Sequence, residues 1–93
     1  MRRELLRLAS FTRAAKRLVK KNPGVAPLLQ ATLAELSADA FQPSLKTHKL
    51  KGSLASSYAC SFGYDLRIVF RFIDREGAEA ILLQAIGTHE EVY

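Results

Sequence analysis

The segment from residue 65 to residue 86 constrains the fold most, because it reads as two strands joined by a tight turn. In Asp65–Ile73 the apolar residues of one alternating set are Leu66, Ile68, Phe70 and Phe72. Alternate side chains of a strand point to opposite faces, so this set predicts a face buried against the core. Residues 74–77 form a turn that ends in Gly77, which suits positive φ. Residues 79–86 are apolar almost throughout, which is typical of a central strand.

Two amphipathic helices are predicted before this hairpin. In the first, Ser10 is a candidate N-cap, and the apolar stripe has helical spacing: Phe11, Ala14, Ala15, Leu18 and Val19. In the second, Pro27 fits the first turn, and one face holds Val25, Leu28, Leu29, Thr32, Leu33 and Leu36. Two helices of this length need a sheet to cover.

The remaining strands are shorter. Residues 4–9 read as a strand, and so does Tyr58–Phe62, in which Cys60 is expected to be a small packing residue. Residues 39–57 are irregular, with an edge strand expected near 46–50. The predicted fold is α+β with the element order βααβββ, in which an antiparallel sheet carries the two N-terminal helices on one face. Residues 1–93 form one domain.

Several functional classes are excluded by what the sequence lacks. It has no glycine-rich phosphate loop, no HExxH and no GxSxG motif, which argues against a nucleotide-driven enzyme or a zinc enzyme. One cysteine and two distant histidines predict neither a disulfide nor a metal site, so no cofactor is expected. The apolar runs are too short for a membrane span, and arginines interrupt the N-terminal one, so a cytoplasmic protein is expected.

Positive charge is concentrated at the N-terminus. Residues 1–21 hold eight Lys/Arg and one Glu, for a net charge of +7, whereas residues 22–93 hold six Lys/Arg and eight Asp/Glu, for −2. Five cations follow one stripe of the first helix: Arg13, Lys16, Arg17, Lys20 and Lys21. The stripe favours a polyanionic partner such as RNA, and the alternative is an ordinary solvated face.

The C-terminal hexapeptide combines ionisable groups with a helix-start signal. Thr88 and Glu91 have the spacing of a capping box, which would place His89 and Tyr93 on one helical face. An imidazole beside a phenol is suited to proton transfer. The alternative is a frayed tail with incidental side chains.

Chemistry-bearing groups are expected to meet at one end of the hairpin. Arg67 and Arg71 lie on the face of its first strand opposite the apolar one, and Asp65 lies at the start of the strand. The two arginines either bind a phosphate group or only make an exposed strand soluble. Hairpin pairing brings His89 close to Asp65. These groups fit metal-free RNA cleavage, in which the ribose 2′-OH attacks phosphorus.

His48 lies in the lysine-rich segment 46–51 and is a second candidate for this chemistry. A solvated loop histidine is the alternative, and the lysines there are also typical of an edge that resists aggregation.

Three segments together resemble the RelE/ParE superfamily of type II toxins, and most of all the YafQ-like mRNA interferases. They are residues 45–52 (Leu-Lys-Thr-His-Lys-Leu-Lys-Gly), residues 65–71 (Asp-Leu-Arg-Ile-Val-Phe-Arg) and residues 86–93 (Ile-Gly-Thr-His-Glu-Glu-Val-Tyr). The resemblance implies a toxin that cuts mRNA on the ribosome and is held inactive by a cognate antitoxin protein.

The resemblance also implies site residues. The catalytic candidates are His48, Asp65, Arg67, His89 and Tyr93, with His89 as the general acid. The placement of positive charge, and not the resemblance, gives the candidates for RNA binding: Arg13, Lys16, Arg17, Lys20, Lys49, Lys51 and Arg71. Ser61 stands where YafQ-like members often carry a histidine, so the general base is left open between His48, Asp65 and ribosomal RNA. Two other functions stay open: a ParE-like toxin that blocks DNA gyrase by protein contact, and an inert RNA-binding scaffold.

Overall fold

The computed structural model describes residues 2–52 and 56–92. Its elements in chain order are β1 (Leu5–Arg7), α1 (Ala9–Lys21), α2 (Val25–Ala38), a 3₁₀ turn (Pro43–Leu45), β2 (His48–Lys49), β3 (Tyr58–Phe62), β4 (Leu66–Arg75), β5 (Ala78–Thr88) and α3 (His89–Val92). In these residues the five strands form one sheet in the order β1-β5-β4-β3-β2. The edge strand expected near 46–50 is therefore present as β2.

The sheet is mixed, which corrects the expectation of a wholly antiparallel one. Strands β2 to β5 pair antiparallel, but β1 pairs parallel with β5, with Leu5 opposite Ile81. The α+β class is confirmed. The predicted order βααβββ is incomplete in two respects. Four strands rather than three follow the two long helices, because β2 and β3 both form, and the short helix α3 follows the last strand. Strand β1 has three residues and its partner lies near the other end of the chain, so no local pattern specifies its direction.

Both long helices cover the same face of the sheet. Phe11 of α1 and Leu36 of α2 are buried in one core with Ile68 and Phe70 of β4. The predicted stripes are confirmed, except that Leu28 is 42% exposed. Helix α1 begins at Ala9, one residue before the predicted cap, and the Ser10 hydroxyl donates to the Gln84 carbonyl instead.

A β-bulge in β5 explains why its core residues are odd-numbered at Ile81 and Leu83 but even-numbered at Ile86. Phe70 pairs with Leu83 and Val69 pairs with Ala85, so Gln84 is the extra residue. The bulge resets the alternation, which lets Leu83 and Ile86 both enter the core.

Cys60 is fully buried in the core, as predicted for a packing residue. Burial raises the pKa of its thiol to about 12, so the nucleophilic thiolate is scarce at neutral pH.

We expect Phe70→Ala to remove much of the stability of this small domain. Phe70 is fully buried, and its ring lies 5.7 Å from that of Phe72 and 6.0 Å from that of Tyr58. Truncating a buried Phe typically costs about 3–5 kcal/mol. Phe41 is the matched control, because it stacks on Phe72 but is 53% exposed. Urea unfolding should show a large loss for Phe70→Ala and a small one for Phe41→Ala. Equal losses would contradict this description of the core.

Candidate active site

Three of the predicted site residues meet where β4 begins and β5 ends. The His89 backbone N–H donates to the Asp65 carbonyl at 3.2 Å, which confirms that His89 lies beside Asp65. Arg67 follows two residues later, as the second residue of β4, and Asp65 is the last residue of the turn before that strand. A carboxylate, a guanidinium and an imidazole therefore belong to adjacent backbone positions at one end of the sheet.

Arg67 is the centre of a row of small neighbours. It pairs with Ser61 on β3 and with Gly87 on β5. Its Nη1 donates to the Leu66 carbonyl at 2.9 Å, which holds the half-buried guanidinium against the strand. Ser61 fills little space on the β3 side of Arg67, whereas the Glu91 side chain lies over Gly87 on the β5 side.

The predicted capping box at the end of β5 is present. The Thr88 N–H donates to Glu91 Oε1 at 2.8 Å, and the Glu91 N–H donates to Thr88 Oγ1 at 3.3 Å. The bond from the Thr88 N–H, together with hydrogen bonding from the Thr88 hydroxyl, lowers the pKa of the Glu91 carboxyl. The box fixes the first turn of α3 and therefore the backbone of His89.

Gly87 is required by this arrangement, a point that the sequence did not reveal. A Cβ at Gly87 would lie 2.9 Å from Glu91 Oε1 and 3.2 Å from Glu91 Cβ. The closer of these distances is shorter than real Cβ contacts, so a larger residue at position 87 would push the Glu91 carboxylate out of the capping box.

The basic stripe of α1 runs towards this end of the sheet. Its five cations are all exposed. Two of them, Lys21 and Arg17, are close enough to Glu91 to lower further the pKa of its carboxyl. They also line a groove of about 600 Å³ between α1, the end of β5 and α3. Two cations of the stripe therefore lie beside α3, the short helix that begins at His89.

The lysine-rich segment lies at the opposite edge of the sheet. His48 and Lys49 are exposed on β2, with Lys46 and Lys51 exposed on either side. His48 Nδ1 lies 3.1 Å from the Lys46 carbonyl oxygen. Since three strand spacings separate β2 from β5, His48 is about 14 Å or more from the β5 end of the site.

The arginine face is less open than expected. Arg67 and Arg71 lie on the same face, but four residues of strand separate them by about 13 Å. Val69 between them is only 3% exposed, and Ala59 beside it is fully buried. Arg67 therefore lies at the end of β4 next to Asp65, whereas Arg71 lies in the middle of the strand. Tyr93 lies outside the described residues.

Two further properties concern only the described part of the chain. There, no group of three or more His, Cys, Asp or Glu side chains could hold a metal ion. No helix within residues 2–52 and 56–92 is both long and apolar enough to cross a membrane.

No protein-family model and no curated protein matches the sequence, but several solved structures share its fold. YafQ from E. coli strain BL21(DE3) superposes with a TM-score of 0.79 at 16% identity over 98% of each chain. YafQ in the E. coli DinJ-YafQ toxin-antitoxin complex gives 0.77 at 17% identity over 100% of this chain and 99% of that one.

Two toxins from other bacteria are also similar. A YoeB/ParE toxin from Agrobacterium tumefaciens gives a TM-score of 0.77 at 14% identity, covering 92% of this chain and 98% of that one. A metal-bound toxin from Helicobacter pylori gives 0.74 at 25% identity over the whole of both chains. The chain therefore has the fold of the RelE/ParE toxins, as the resemblance implied.

We expect acid to loosen α3 through Glu91. The folded state lowers the pKa of this carboxyl from its ordinary value of 4.5, so its contribution is present above pH 4.5 and is lost as the pH falls through the lowered pKa. Amide hydrogen exchange in α3, followed by NMR between neutral and acid pH, should report the loss. Glu91→Gln keeps an acceptor for the Thr88 N–H but cannot titrate, so it should remove this pH dependence. An unchanged pH profile in Glu91→Gln would contradict the assignment.

Proposed function

We propose that this chain is the toxin of a toxin–antitoxin pair and that it is an endoribonuclease which cleaves mRNA on the ribosome. The observation that carries the proposal is the grouping of Asp65, Arg67 and His89 at one end of a YafQ-like sheet, where α3 fixes the His89 backbone. The groups present are those that strand cleavage of RNA requires: a base, a cation and an acid.

The proposed reaction is an in-line attack of the ribose 2′-OH on the adjacent phosphorus. The bond from phosphorus to the 5′-oxygen breaks, and a 2′,3′-cyclic phosphate forms. Arg67 stabilises the negative charge that develops on the equatorial oxygens, because a guanidinium can donate two parallel hydrogen bonds to two phosphate oxygens. His89 in its protonated form delivers a proton to the departing 5′-oxygen. In this account the toxin's own side chains need no metal ion.

We propose Asp65 as the general base. It adjoins Arg67 and His89, whereas His48 lies across the sheet among lysines. At about 14 Å or more from the end of β5, the imidazole of His48 is better placed to contact a neighbouring phosphate or base than the reacting one. Tyr93 stays a candidate, four residues after His89, for orienting the substrate.

Binding of the ribosome is assigned to two cationic surfaces. One is the α1 stripe, in which Arg17 and Lys21 lie near Glu91 of α3. The other comprises Lys49 and Lys51 at the far edge, with Arg71 between the two surfaces. Cations on both sides of the site could contact ribosomal RNA, which is a folded polyanion and is much larger than the mRNA strand that is cleaved.

An antitoxin protein is the proposed regulator. A net charge of +5 suits an acidic partner segment, and the E. coli YafQ chain of the same fold is found with DinJ. A protein that acts on ribosomes and is restrained by such a partner would work in the cytoplasm.

Inhibition of DNA gyrase is the second candidate, favoured by the fold shared with the YoeB/ParE toxin. Such a toxin needs no Asp65–Arg67–His89 grouping, so replacing these residues would leave its toxicity unchanged. The catalytic variants below therefore separate the two functions.

We expect His89→Ala to fold, to bind ribosomes and to lose cleavage. Removing a general acid typically lowers the rate by about 10²–10⁴-fold. Arg67→Ala should also be slow, through the loss of phosphate stabilisation. Single-turnover cleavage of mRNA on purified ribosomes gives the rates, and growth on expression gives a cellular measure.

His48→Ala is the discriminating control. If Asp65 is the base, this variant should weaken ribosome binding and leave the rate at saturation nearly unchanged. Full activity of His89→Ala would contradict the mechanism, and growth arrest by all three variants would favour the gyrase alternative.

We expect charge-neutral replacements on the α1 stripe to weaken ribosome binding. Arg13→Gln/Lys16→Gln should lower the affinity and reduce the slope of log K against log salt by about one to two, since each phosphate contact contributes to that slope. Arg2→Gln/Arg75→Gln removes the same charge at the far end of the sheet and is the matched control. If the two double variants weaken binding equally, the α1 stripe has no specific role in ribosome binding and is an ordinary solvated face.

A further inference from the structure

Gln84 occupies an unusual place in the fold. The bulge makes it the extra residue of β5, between Leu83 in the core and Ala85 opposite Val69. Its side chain accepts a hydrogen bond from Ser57 Oγ at 2.7 Å. Ser57 is 2% exposed and Gln84 is half-buried, so the bond is partly shielded from water and spans β4. Neither residue belongs to the proposed catalytic group.

The pair connects with the lysine-rich loop, residues 46–52. The Leu50 N–H donates to the Ser57 carbonyl at 2.9 Å, which ties the far side of the loop to Ser57. The near side is tied separately, because Thr47 Oγ1 donates to the Ala40 carbonyl at 2.6 Å. Between these two bonds, His48 and Lys49 pair with β3. The bond at the C-terminal end of the loop is the one made to the residue that Gln84 holds.

The same residue also contacts the cationic helix. Ser10 at the start of α1 donates its hydroxyl to the Gln84 carbonyl at 3.3 Å. Leu8, the residue before α1, donates its N–H to the Leu83 carbonyl at 3.0 Å. The bulge thus lies between α1 and the lysine-rich loop and has hydrogen bonds in both directions.

We propose that Gln84 is a positioning residue which, through Ser57, sets the place of the lysine-rich loop relative to Arg67. The inference rests on the proposed function, because the loop's cations matter only if they meet RNA. Lysine side chains are long and flexible, so a fixed backbone beneath them lowers the ordering cost when they bind phosphates. Gln84 itself touches neither substrate nor the reacting atoms.

The test uses Gln84→Met, which keeps the length of the side chain but removes the acceptor, and Ser57→Ala, which removes the donor. Gln84→Glu keeps an acceptor for the Ser57 hydroxyl and is the conservative rescue. Gln30→Met, at an exposed site on α2, controls for the change of residue type. Hydrogen exchange of the Leu50 amide measures how firmly the loop is held to Ser57, and this measurement does not depend on activity.

In Gln84→Met and in Ser57→Ala we expect faster exchange at Leu50 and a KM for mRNA-programmed ribosomes that is about tenfold higher, with kcat changed by less than about twofold. The double variant should be no worse than either single one, because both remove the same bond. Gln84→Glu and Gln30→Met should behave as the wild type.

Faster exchange at Leu50 with an unchanged KM would overturn the inference, and so would additive effects in the double variant. A wild-type chain that fails to cleave would instead overturn the proposed function. In that case the affinity of the same variants for a single-stranded RNA oligonucleotide would be measured in place of KM. We expect the same tenfold loss of affinity, and an unchanged affinity would overturn the inference.

Discussion

The pairing of β4 with β5 is the interaction on which the rest of this structure depends. It runs from Leu66 opposite Thr88 to Arg75 opposite Ala78, and β3 and β1 join it on either side. One irregularity, the bulge at Gln84, resets which residues of β5 face the helices. Without that shift Ile86 would face away from the core, and Gly87 would not lie in the row with Arg67. The hairpin therefore sets both the packing and the candidate site.

The site follows from how the hairpin ends. Strand β5 runs past the pairing with Leu66 directly into α3, so His89 is held against Asp65 by a backbone bond and by the Thr88–Glu91 box. Glycine at position 87 permits the close return of the chain. Helix α1 brings Arg17 and Lys21 to the same end of the sheet. A short C-terminal segment that would otherwise fray is thus fixed beside an arginine and a carboxylate.

Much of this was predictable because the signals are local. Alternation in β4, the helical stripes and the Thr–Glu spacing of the box each depend on a few neighbouring residues, and hairpin geometry then places His89 near Asp65. The parallel pairing of β1 could not be predicted, since a three-residue strand has no pattern that selects its partner. The distances of Arg71 and His48 from the site could not be predicted either, because they depend on the strand order and on the register of strand pairing. The bulge was also hidden, because residues 80–83, 85 and 86 are all apolar and show no change of alternation.

The chemistry of the cleaved ends tests the central claim most directly. Purified ribosomes carrying a defined mRNA would be incubated with the chain, and the termini of the products determined by enzymatic end-labelling and mass spectrometry. Attack by the 2′-OH predicts a 5′-hydroxyl on one fragment and a 2′,3′-cyclic phosphate, or its 3′-phosphate hydrolysis product, on the other. A 3′-hydroxyl end, or intact mRNA in the presence of folded protein, would contradict the account.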